Sequence, residues 1–177
     1  PLTVLVFILL FPEFITGEVL AQSPQEILKS IPSDVPFVFL INMKRFAKNP
    51  LYAKIMREKQ PMGGMIDAIS SFSYSTGVDL SNDLSYLVLS STKQGPVMVA
   101  SGQFDHERIG RYLRCSMYPK ETKYKGISML MFPPQAGNMG VAMISPQLIA
   151  VGRQDQLESF VDTDAGRKKG VMSKSRM

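Results

Sequence analysis

Proline and glycine cut this chain into short pieces, and that punctuation limits its possible architectures more than any other feature. Twelve prolines and thirteen glycines lie between brief apolar runs. Each run must be read as a short helix or a short strand. Ser23-Pro-Gln-Glu26 is a capping box with proline at the first helical position, and Ile27, Leu28 and Ile31 form the inward stripe of that helix. Pro32 and Pro36 bracket a turn, and Phe37–Ile41 reads as a strand buried on both faces. Asn49-Pro50 starts a second helix with Tyr52, Ile55 and Met56 on one face. Pro61 breaks it, and Met62, Met65, Ile66, Ile69 and Phe72 resume the helical spacing as far as Gly77, a C-cap. Leu84–Thr92 and Pro96–Phe104 are two strands joined by Lys93-Gln94-Gly95.

The clearest local start follows. Asp105 caps a helix, Glu107 complements its positive end, and Phe104 with Ile109 forms a hydrophobic staple. Ile109, Tyr112 and Leu113 supply the buried stripe, and Tyr118-Pro119 ends it. Strands then fall at Glu121–Lys125, Ile127–Phe132, Gly140–Ile144 and Leu148–Val151, before a last short helix marked by Leu157, Phe160 and Val161. A strand, a helical crossover, a hairpin and a second crossover are the units of a split β-α-β sheet. The predicted fold is therefore α+β: a ferredoxin-like split β-α-β start over one domain, residues 22–162, extended by an antiparallel meander, with helices on one face.

One cysteine and one histidine exclude an internal disulfide and a zinc cage, so an apolar core must hold the domain. The net charge of +5 suggests a nucleic-acid partner until it is placed. Five bases (Arg167, Lys168, Lys169, Lys174, Arg176) lie within the last thirteen residues, leaving residues 22–164 with fifteen bases against thirteen acids. Lys44/Arg45/Lys48 and Arg108/Arg111/Arg114 are solvated helix surfaces, and no basic face alternates with stacking aromatics. Nucleic acid is not an expected partner.

Leu2–Phe11 is a ten-residue run, apolar but for Thr3, stopped by Pro12. As a helix it would rise about 15 Å, half the hydrocarbon thickness of a bilayer, so no transmembrane span is expected. Val19-Leu20-Ala21 has small side chains where signal peptidase needs them. Residues 1–21 are read as a signal peptide cleaved after Ala21, and the protein as exported, periplasmic or secreted. Residues 163–177 are read as a basic linker or the start of a second α+β half, poorly ordered or loosely docked.

The candidate chemistry is sparse. His106 reads as an exposed first-turn histidine without a nucleophile, and Cys115 as a buried, inert thiol. Asp79, Asp83, Asp105, Glu107 and Glu121 are the carboxylates from which a glycosidase pair would be drawn, yet each stands where a turn or cap wants an acid. Met129 and Met131, with Met139 and Met143, offer thioethers for Cu(I), but methionine fills cores equally well. Gly166–Gly170 lacks the Lys-Ser/Thr ending of a phosphate loop. No catalytic, cofactor-binding or metal-binding residue is assigned, and no cofactor is expected.

Ile31-Pro-Ser-Asp34, the strand after it and Lys44–Ile55 resemble the opening of uncharacterised exported bacterial proteins of the acidobacterial type. Gly102-Gln-Phe-Asp105 before a helix, Tyr124-Lys-Gly126 before a strand and Val151-Gly152 before Leu157 are similar too. The resemblance spans most of residues 31–162. It implies an exported, duplicated α+β domain and brings no catalytic residue. The expected function is an exported, non-catalytic domain that binds a macromolecular envelope partner or a small apolar ligand. The rival is an extracytoplasmic hydrolase.

Overall fold

The computed structural model describes residues 5–8, 23–50, 52, 54, 73–74, 76–79, 81–92, 95–134 and 138–172. Their elements run β1 (Leu5–Ile8), α1 (Pro24–Ser30), β2 (Phe37–Asn42), α2 (Met43–Phe46), β3 (Leu84–Thr92), β4 (Gly95–Gly102) and α3 (His106–Met117). They continue with β5 (Lys120–Tyr124), β6 (Ile127–Met131), β7 (Met139–Ser145), β8 (Leu148–Arg153) and α4 (Gln154–Asp164). The α+β class and the antiparallel meander are as the sequence predicts. The capping box forms at α1, where Ser23 Oγ accepts from the Glu26 amide at 3.3 Å and Glu26 Oε2 accepts from the Ser23 amide at 2.9 Å. Pro50, Tyr52 and Lys54 are helical, as are Ser73, Tyr74 and Thr76, and Gly77 follows at φ +70°. Ile55, Met56 and the Met62–Phe72 stripe lie outside the described residues.

All strands join one sheet in the order β1-β2-β3-β4-β8-β7-β6-β5. Every neighbouring pair is antiparallel except β1 and β2, which run parallel with Leu5 beside Phe37 and Ile8 beside Leu40. The expected leader thus contributes an edge strand, while its cleavage site lies outside the described residues. The strand order corrects the ferredoxin-like start. A split β-α-β would place β4 between β2 and β3, but β3 lies in the middle and pairs with both. The second crossover is the split one: α3 carries the chain from β4 to β5, past β8, β7 and β6. Composition agrees with that order. β8 is apolar on both faces and central, whereas Lys120-Glu-Thr-Lys-Tyr124 is polar and occupies the far edge, where charge deters further pairing.

The helices cover both faces, which corrects the expectation of one. Adjacent strand residues point to opposite sides. Val99, Met129, Ala142, Leu148 and Ala150 pack with Ile27, Leu28 and Ile31 of the α1 region and Leu157, Phe160 and Val161 of α4. Leu130, Val141 and Ile149 turn the other way and pack with Ile109 and Leu113 of α3.

Residues after α4 also differ from expectation, for the described part is pinned down. The carbonyl of Asp162 accepts from the amides of Arg167 and Lys168 at 2.7 and 3.1 Å. Pro32 and Gly170 form an antiparallel bridge, the Ser33 amide donates to Lys169 at 3.1 Å, and the Val171 amide donates to Ile31 at 2.8 Å. Gly170 is required there, because a Cβ would sit 1.8 Å from the Lys29 carbonyl oxygen.

Candidate functional site

The cleft at the start of α3 brings together three parts of the chain that are distant in sequence. The end of β4 passes so close to the start of β3 that a Cβ on Gly102 would lie 2.1 Å from the Asp83 carbonyl oxygen. Backbone bonds lock the meeting: Gln103 N donates to Asp83 O at 2.9 Å, and Gly102 N and Phe104 N donate to Gln147 O and Pro146 O of the β7–β8 turn at 3.0 and 2.9 Å. Around this knot opens a cavity of about 520 Å³, lined by Thr76, Gly77, Val78, Asp83, Gly102–Asp105, Arg108, Pro146 and Gln147.

Two of the five carboxylates named as candidates line it, Asp83 and Asp105. Each has a structural task. Asp83 Oδ2 accepts from the Asp79 amide at 2.7 Å, and Asp105 Oδ1 accepts from the Arg108 amide at 2.9 Å to cap α3. Asp79 lies in the same turn; the Ser81 amide and the Asn82 side chain hold its carboxyl below the ordinary value. Glu107 and Glu121 are elsewhere on the surface, paired with Arg111 at 3.1 Å and Arg114 at 2.5 Å. Of the three arginines on α3, Arg108 has no ion pair or side-chain hydrogen bond among the described residues. Its guanidinium lies flush against Gly77, where a Cβ would fall 2.4 Å from Nη1.

His106 differs from its expected exposure. It is half-buried, and its Nε2 is enclosed without a partner among the described residues. Burial pushes the imidazole below its ordinary pKa, against the opposing effects of the Ser145 backbone and Asp105. It does not line the cleft. Cys115 differs in the other direction: it is exposed. It stands two positions beyond Leu113, and at about 100° per residue that step carries it off the buried stripe.

Met129 and Met131 share one face of β6, but Met143 does not join them. Met129 is 1% exposed in the core beneath α1 and α4, whereas Met143 packs on the opposite face beside Ile109. The Gly166–Gly170 segment lines a different, basic groove with Lys29, Arg167, Lys168 and Lys169. No group of three His, Cys, Asp or Glu side chains is placed to hold a metal ion among the described residues.

Sequence reasoning named Gly77 as a cap and Asp105 as a cap without seeing that they share a cleft. It missed Arg108, Gln103 and Gln147 as lining residues. No local signal marks them, because their meeting depends on the β3–β4 and β7–β8 connections lying side by side.

No family model matches the chain, and no curated protein matches it. Two solved structures, crystal forms III and IV of TP0453, are similar in fold. Each aligns at 14% identity and a TM-score of 0.47, covering 80% and 79% of this chain and 53% of the other. The chain thus spans about half the length of the structures it matches. No described helix is long and apolar enough to cross a membrane.

Proposed function

We propose that this chain is an exported, non-catalytic binding domain of the cell envelope, freed from its leader between Ala21 and Gln22. The observation that carries the non-catalytic part is the state of the cleft carboxylates. Asp83 and Asp105 each spend an oxygen on a backbone amide. Those bonds account for both acids as turn and cap residues, and no Ser, Cys, His or Lys stands with them among the described lining residues to complete a catalytic pair. The export part rests on the Leu2–Phe11 run and the small residues of Val19-Leu20-Ala21. Four described cavities each include charged residues in their lining, which favours a polar partner over a small apolar ligand. Expression in a bacterial host with fractionation tests the export. Exported protein beginning at Gln22 supports it; mature protein that keeps its leader overturns it.

The hydrolase remains a second reading because two carboxylates line one cavity. An activity against a peptide or glycoside that Asp83→Asn or Asp105→Asn abolishes without unfolding the protein would replace the binding reading.

A further inference from the structure

From the α3 cleft we infer a binding site for a short peptide with both termini free, recognised by its opposite charges. The inference rests on the binding reading above and adds the ligand class.

The cleft holds a guanidinium and two carboxylates that make no ion pair with one another. Opposite charges within one cavity ordinarily close on each other. Here the local backbone keeps them apart: the Asp83 and Asp105 carboxylates are tied to the amides of residues 79 and 108, and the Arg108 guanidinium rests on Gly77. Gly77 has φ +70°, so a side chain there is strained as well as obstructive. The cleft therefore displays separated positive and negative ends, with one carboxylate oxygen on each aspartate left over.

That pattern discriminates among ligands. A phosphate or other simple anion would meet Arg108 but also two carboxylates, so repulsion offsets the attraction. A simple cation would gain from the two carboxylates but leave Arg108 without a counter-charge. A zwitterion satisfies both ends: its carboxylate takes the planar fork of Arg108, and its ammonium takes a carboxylate oxygen. Gln103 and Gln147 are exposed lining residues of the same cavity, and a glutamine amide can both donate to and accept from the peptide group between the ends. A volume of about 520 Å³ is ample for two or more residues.

The probe is L-alanyl-L-alanine, titrated into the protein and followed by NMR on both protein amides and peptide methyls. Three controls are its N-acetyl form, its C-terminal amide and the doubly blocked form. Saturable shifts at Gln103, Arg108 and Gln147, weakened at least tenfold by blocking either end, are expected. Arg108→Ala should lower affinity by at least tenfold and remove the penalty for C-terminal amidation. Arg108→Lys, which keeps the charge without the fork, should fall between. Because Arg108 is exposed and has no ion pair among the described residues, these variants should leave folding intact, which amide spectra report directly. Binding of the doubly blocked peptide as tight as the free one, an unchanged Arg108→Ala protein, or no saturable shift overturns the site while leaving the exported-binder reading in place. Cleavage of the dipeptide, visible as free alanine, would uphold the site and overturn the non-catalytic reading.

Discussion

At the scale of single residues, Asp162 ties more of the structure together than any residue in the candidate cleft. Its Oδ1 accepts from Lys125 Nζ at 2.7 Å and Arg167 Nε at 2.9 Å, and Oδ2 accepts from the Tyr124 hydroxyl at 3.1 Å. The bonds from Lys125 and Arg167 lower its pKa from 3.8 to about 2. A carboxyl whose folded pKa is depressed adds stability above its unfolded value and loses it as pH falls through the folded one. Asp162 therefore stabilises the fold fully above about pH 5, and that contribution disappears towards pH 2. His106 acts in the next window. Its folded pKa is also depressed, so protonation favours the unfolded chain, and stability should fall as pH drops from 7 through the ordinary imidazole value of about 6.5. Melting curves at pH 7 and pH 5 should show a drop in Tm that His106→Gln reduces. An identical pH dependence in that variant would mean that the enclosed Nε2 has no linkage to folding. Cys115 gives a simpler test. Being exposed, it should react with a bulky thiol reagent in native buffer within minutes, at a rate close to that of the unfolded chain.

At the scale of elements, the local starts were legible because each depends only on residues within one turn. Asp105, Glu107 and the Phe104–Ile109 staple predict a helix, and α3 begins at His106 with the Arg108 amide donating to Asp105. Asp105→Ala should destabilise the protein by about 1 kcal/mol. Chemical denaturation with unchanged cooperativity would register that loss, and it should be accompanied by faster amide exchange in the first turn. Faces were less legible than starts. The stripe Ile109-Tyr112-Leu113 shows that α3 buries one side, but a stripe does not say which face of a sheet it meets. Strands β6, β7 and β8 contain the missing information in their adjacent apolar pairs, Met129-Leu130, Val141-Ala142 and Ile149-Ala150. An apolar residue on each side of a strand means that both faces are covered. Phe37–Ile41 meets that criterion only in part. Val38 and Leu40 are buried, whereas Phe37 and Phe39, stacked edge-to-face at 5.3 Å, remain 40% and 50% exposed.

At the scale of the whole molecule, the contacts that define the architecture are non-local, and sequence periodicity is silent about them. Strand order follows from which strands can be buried on both faces, and the cleft follows from two connections meeting at Gly102. The return of residues 169–171 onto the α1–β2 turn is of the same kind. A polar, glycine-bearing stretch after a helix reads as a free linker, because its composition reports the lack of a stripe and not the presence of a seat. The seat depends on one missing atom. With glycine at 170 the backbone lies against Lys29, and the Val171 amide reaches the Ile31 carbonyl at 2.8 Å, while Val171 packs on the core beneath α1 and α4. Gly170→Ala would place a methyl 1.8 Å from the Lys29 carbonyl oxygen, and backbone cannot yield as a flexible side chain does. The strand-like bridge to Pro32 must then open, with a cost of about 1–3 kcal/mol, the range for forcing extra atoms into a packed site. Two measurements separate this from a general loss of fold. Tm should fall while the amides of β4 and β8 keep their exchange protection, and the amides of Ser33 and Val171 should lose theirs. Unchanged protection at Ser33 and Val171 in the alanine variant would show that the return does not depend on the glycine.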